Sequence, residues 1–139
     1  AGLTPSSSNV MDYISTATTG DATDFGDMAN NVGNSRGMSS VTRAVLAGGE
    51  SPSLSNQISY ITIASAGDTS DFGDLAAAKA QNGTASNRIR GLSAGGKTPS
   101  QINVIEYITI ASAGDAADFG DLIATTTKIT GVSDSHGGL

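Results

Sequence analysis

The clearest hydrophobic pattern in the chain is a run of apolar and β-branched residues that recurs three times. In its last copy Val104, Ile105, Tyr107, Ile108 and Ile110 fall close together among polar neighbours. Such a composition favours a strand, and apolar residues at adjacent positions imply partial cover on both of its faces. The pattern predicts an interior strand over residues 103–112, with residues 56–65 and 9–18 as its equivalents. Each copy continues with a Gly-Asp segment, at residues 113–117 in the last, which predicts a tight turn. Asp118-Phe119-Gly120-Asp121-Leu122 then leads out of that turn into another strand.

The rest of each copy is less regular. Residues 76–86 are rich in Ala, Gly, Asn and Thr, and predict an outer strand with a loop in preference to a short helix around residues 76–80. Residues 87–96, matched by residues 40–49, predict a strand of small residues that ends in a diglycine and depends on close neighbours for its stability. After the diglycine comes a turn: Gly48-Gly49-Glu50-Ser51-Pro52-Ser53 aligns with Gly95-Gly96-Lys97-Thr98-Pro99-Ser100 and with Ala1-Gly2-Leu3-Thr4-Pro5-Ser6. All three prolines sit at this position, where a fixed φ suits a connection between strands.

Together these segments form an internal repeat. YITIASAGDTSDFGDL at residues 60–75 returns as YITIASAGDAADFGDL at residues 107–122 and as YISTATTGDATDFGDM at residues 13–28, each copy 47 residues from the next. The units run over about residues 1–47, 48–94 and 95–139. Four short strands and three turn signals in each unit place the chain in the all-β repeat classes.

Composition narrows the function classes. In 139 residues there are 18 Gly, 37% hydrophobic and 14% charged residues, which predicts one domain with a thin core. The lack of Cys removes disulfide frameworks and thiolate metal sites. With 7 Lys+Arg and a net charge of −6 there is no basic face for nucleic acid or an anionic membrane. Apolar runs such as residues 61–64 are too short for membrane insertion by a helix.

Candidate chemistry is sparse. Asp68, Asp71 and Asp74 recur as Asp115, Asp118 and Asp121 and as Asp21, Asp24 and Asp27, and could gather oxygen ligands for Ca²⁺. Turn structure is the stronger reading: the spacing is not that of an EF-hand loop, and Asp shapes turns through side-chain-to-backbone hydrogen bonds. Arg43 and Arg90 share a repeat position, with Gly137 in the third copy, and are expected to pair across units with one of the repeated Asp residues rather than line a pocket. Tyr13, Tyr60 and Tyr107 are expected in packing before ligand stacking. His136 is the only His, which excludes a two-His zinc site; Ser133, Asp134 and His136 stand too close in sequence for a catalytic relay. Asn82-Gly83-Thr84 matches the N-glycosylation pattern and suits an exposed turn.

A strand ending in Gly-Gly, a turn, a strand with Tyr, a turn with Gly and then an aromatic resembles the kelch repeat, the four-stranded blade of a β-propeller. The residues that carry this resemblance are Gly48, Gly49, Tyr60, Gly67 and Phe72, then Gly95, Gly96, Tyr107, Gly114 and Phe119, with Gly2, Tyr13, Gly20 and Phe25 in the first copy. Phe stands where kelch blades usually carry Trp. The longer phrase, from YITIAS through DFGDL to Gly-Gly, is similar to the kelch-like repeats of bacteriophage structural proteins, particularly tail-fibre or tail-associated proteins of viruses of aquatic bacteria such as cyanobacteria.

That resemblance implies tandem four-stranded blades forming a β-propeller or part of one, in a non-enzymatic structural or adhesion component of a virion. It implies self-association or other virion proteins as partners; the contrast between variable and nearly invariant segments adds the expectation of contact with a host-surface glycan. Oxidases of the kelch type hold copper, but this chain lacks the His and Cys such a centre needs. The alternative is a secreted or cell-surface bacterial carbohydrate-binding propeller. Three blades fall short of the 4 to 8 of closed propellers, so the expectation is an excerpt of a longer array or a ring completed by another chain. Residues 29–40, 76–86 and 123–134 differ most between units and are the expected seat of specificity.

Overall fold

The computed structural model describes residues 8–50 and 52–133, and the regular structure there is entirely β. In chain order the strands are β1 (Val10–Tyr13), β2 (Thr23–Asp27), β3 (Arg36–Ser39), β4 (Arg43–Glu50), β5 (Leu54–Thr62) and β6 (Ser70–Asp74). They continue with β7 (Gly83–Ser86), β8 (Arg90–Ala94), β9 (Lys97–Thr98), β10 (Ser100–Thr109) and β11 (Ala117–Thr126). Ten of them form antiparallel sheets of two, four and four strands: β1-β2, β3-β4-β5-β6 and β7-β8-β10-β11. The short β9 pairs with the start of β10.

Both larger sheets are meanders in which each strand is followed by its spatial neighbour. Turns between strands are built by local caps: Asn87 accepts from the N–H groups of Ile89 and Arg90 at 2.8 and 2.7 Å, and the hydroxyl of Ser40 accepts from Arg43 N–H at 3.2 Å. The outer strand expected within residues 76–86 is β7, at the edge of its sheet, and residues 76–80 form no helix. Among the described residues the sheets do not close into a propeller. The turn expected around Gly2 and Pro5 lies outside the described residues, as do Asp134, His136, Gly137 and Leu139.

Each Asp-Phe-Gly-Asp string is a β-bulge. Gly26, Gly73 and Gly120 pair with Met11, Ile58 and Ile105, and the register slips at the next residue of the partner strand, leaving Phe25, Phe72 and Phe119 as the extra residue. The glycines have φ of 142°, 142° and 138°, a conformation that L side chains rarely adopt, so Gly is required there. The bulge turns each Phe edge-on to the Tyr of the adjoining strand. Ring centroids of Tyr13–Phe25, Tyr60–Phe72 and Tyr107–Phe119 are 5.9, 5.9 and 6.1 Å apart, with interplanar angles of 86°, 80° and 75°.

Small side chains let the two four-stranded sheets pack closely over one core. Met38, Val45, Ala47, Ile58, Phe72 and Leu75 come from the first, and Ile108 and Ile110 from the second. Burial of these side chains is the main apolar contribution to stability, at about 1.5–3 kcal/mol for each large one.

Candidate functional site

Contacts between sheets recur with the same atoms. Gly67 N–H donates to Phe25 C=O at 2.7 Å and Thr69 N–H to Asp27 C=O at 2.9 Å, while Asp27 N–H donates to the Asp68 carboxylate at 2.9 Å. One sheet further on, Gly114 N–H donates to Phe72 C=O at 2.7 Å, Ala116 N–H to Asp74 C=O at 2.8 Å, and Asp74 N–H to Asp115 at 3.0 Å. The Gly-Asp turn of one unit thus closes the outer edge of the bulged strand in the unit before it. A Cβ on Gly26 or Gly73 would lie 2.5 Å from the carbonyl carbon of Gly67 or Gly114, so only glycine admits this approach.

Further bonds join the edge strands β3 and β7 and the crossings between sheets. Ser86 Oγ accepts from Ser39 N–H at 3.1 Å and donates to Ser39 C=O at 2.9 Å, and Thr84 Oγ1 donates to Gly37 C=O at 2.6 Å. In the crossings Asn34, Gln81 and Lys128 hold φ of 55°, 59° and 58°, and Lys128 N–H donates to Gln81 C=O at 2.9 Å. Only Asn favours that left-handed conformation, so side-chain type signals it at the first of the three positions alone.

The second joint holds a buried ion pair that sequence patterning missed. Lys79 and Glu106 are 1% and 3% exposed and directly bonded through Nζ and Oε2, while Glu106 Oε1 accepts from Ala76 N–H at 2.7 Å. The corresponding positions in the preceding copy are Val32 and Ser59, so repetition gives no hint of it. Lys97 meets Glu50 at 3.0 Å with both side chains about one-third exposed, and contributes little by comparison.

Several expected roles are relocated. Asp68 and Asp115 do not cap their own turns but receive backbone N–H groups 41 residues earlier, because stacking brings the neighbouring strand edge within reach. Asp118 accepts locally, from Gly120 N–H at 3.2 Å. Asp68, Asp71, Asp74, Asp115, Asp118 and Asp121 are not gathered into any set of three acidic or imidazole groups able to hold a metal ion among the described residues. Among the described residues Arg43 and Arg90 do not pair with Asp: their guanidinium carbons lie 4.4 and 4.7 Å from the ring centroids of Tyr60 and Tyr107. Arg43 also donates across to Ile110 C=O at 3.0 Å. Asn82 is fully buried and donates to Ser93 Oγ at 2.8 Å, which removes it from the exposed turn that glycosylation requires.

Two openings adjoin these joints. A crevice of about 280 Å³ between the first two sheets is lined by Met11, Asp12, Ala44, Leu46, Tyr60 and Thr69. A cleft of about 260 Å³ runs between the turn tips of adjacent sheets, past Ser39, Ser40, Val41, Ser86, Asn87 and Arg88. Its hydroxyl, amide and guanidinium groups suit hydrogen bonding to a polyhydroxylated ligand. The segment-variable residues contribute on both sides of the balance: Asn82 and Lys79 are buried in joints, while Ser39, Ser40 and Ser86 reach the cleft. No protein-family model matches the chain, and no curated protein is similar to it.

Proposed function

We propose that the chain is a kelch-like repeat protein of three 47-residue units stacked as an open array, serving as a structural or adhesion component of a virion, in a phage tail or tail fibre. The virion role rests on the resemblance of the repeated phrase; the stacked array is supported by the recurrence of one joint, with Gly67 and Asp68 on residues 25–27 and Gly114 and Asp115 on residues 72–74. A joint that repeats with the same atoms suits a rigid array whose stability is summed over units and their neighbours. Further units of the same kind would be needed to close a propeller ring.

Stacking holds the turn tips of successive units side by side. Exposed Val41 lines the cleft with Asn87 and Arg88. Ile63 and Ile89 are exposed at turns beside β5 and β8, and Ile63 N–H is tied to Thr42 C=O at 2.9 Å. Weak contacts made by such tips add through multivalency when many copies are held together. The role is binding and architecture rather than catalysis, and the ligand class is a host-surface glycan. Mass spectrometry of purified virions and a glycan array probed with the intact assembly test it. Presence in virions with a retained glycan is expected; fractionation with bacterial cells or medium contradicts the virion role and favours a carbohydrate-binding propeller. Virion presence without a retained glycan reduces the role to architecture.

A further inference from the structure

The outer edge of the last sheet, at β11, repeats the geometry of the filled joints and has nothing on it among the described residues. Gly120 has a φ of 138°, close to the 142° of Gly26 and Gly73, yet a Cβ placed there meets no atom within 4 Å. Phe119 is 53% exposed where its counterpart Phe72 is 2% exposed. Val104 pairs with Asp121 as Gln57 pairs with Asp74, so the N–H and C=O of Asp121 point away from β10. Neither group, nor the C=O of Phe119, meets a partner outside its own sheet among the described residues.

At the opposite end of the molecule the complementary half of the joint is also free. Gly20, Asp21 and Ala22 occupy the sequence positions of Gly67-Asp68-Thr69 and Gly114-Asp115-Ala116 and are exposed. Among the described residues Asp21 holds no backbone N–H, unlike Asp68 and Asp115. Ile14, at the position of Ile61 and Ile108, is 62% exposed, whereas Ile108 is packed against the core that contains Phe72.

We infer that the exposed outer edge of β11 is the docking site for the residue 20–22 turn of a second copy of this chain. In that interface Gly20 N–H donates to Phe119 C=O, Ala22 N–H donates to Asp121 C=O, and Asp121 N–H donates to the Asp21 carboxylate. Ile14 and Ala22 cover Phe119 as Ile108 and Ala116 cover the apolar cluster around Phe72. The contact is head-to-tail, since the two surfaces are different parts of the molecule, and it therefore propagates into a ring or a filament rather than stopping at a two-fold dimer. This inference rests on the reading of the chain as stacked repeat units and names their partner.

Light scattering coupled to size exclusion, with circular dichroism on the same samples, tests it. The 139-residue chain is expected to show a strand spectrum and a mass that rises with concentration above 13.8 kDa. Ala22→Arg, which puts a long charged side chain on an exposed position, is expected to keep the spectrum and thermal midpoint of dilute wild type and to remain monomeric. Asp21→Ala, which removes one acceptor, is expected to weaken assembly several-fold without a change in spectrum. A folded wild-type chain that stays monomeric at every concentration, or an Ala22→Arg variant that assembles like wild type, overturns the docking inference and leaves the repeat reading intact. A wild-type chain without a strand spectrum overturns both.

Discussion

Gly73 lies where two requirements coincide: a φ of 142° imposed by the bulge, and a backbone carbonyl of Gly114 too close to admit a Cβ. Gly120 meets the first requirement alone, with open space around it. Gly73→Ala is therefore expected to cost about 3 kcal/mol or more, combining backbone strain with overpacking. Gly120→Ala is expected to cost about 1–3 kcal/mol from strain alone. Urea unfolding of dilute samples measures the difference, and equal losses at the two sites would mean that the Gly114 turn does not bear on Gly73. The repeated Asp-Phe-Gly-Asp was legible as a strand entrance, but not as a bulge. A bulge depends on which residue of the partner strand each one faces, and a single sequence does not display register.

Among the elements, the strands around Tyr60 and Tyr107 and the small-residue strands leading to the diglycines were legible from β-branched composition and turn residues, and they emerge as β5, β10, β4 and β8, although β4 contains its diglycine and β8 ends at Ala94, before Gly95. The partners of their side chains were not. Arg43 and Arg90 lie over tyrosine rings because antiparallel pairing sets Arg43 and Arg90 near the ends of strands that face β5 and β10, a relation invisible in linear order. The Lys79–Glu106 pair was hidden further, since it joins a crossing to a strand and occurs at one joint only. Removing one partner strands the other charge, so Lys79→Met or Glu106→Leu alone is expected to lower stability by about 3–5 kcal/mol. The double replacement is expected to recover most of that loss. Denaturant midpoints of the two single variants and the double variant check this, and additive losses would refute the coupling.

At the scale of the whole molecule, composition anticipated a thin core, and Phe72 is the one buried aromatic among the described residues, packed with Met38, Ile58 and Ile110. An all-β fold was legible too, whereas the arrangement of sheets was not, because sequence repeats do not say whether units close into a ring or stack openly. Cohesion between sheets comes from the core between the two meanders and from the turn-to-edge bonds at residues 25–27 and 72–74. Amide hydrogen exchange followed by NMR reads these bonds individually. The amides of Asp27, Gly67, Thr69, Asp74, Gly114 and Ala116 are expected to be protected well above those of the exposed turn residues Ala64 and Ser65-flanking Ala66. Exchange of Asp27 and Asp74 as fast as Ala64 would contradict the stacked joint.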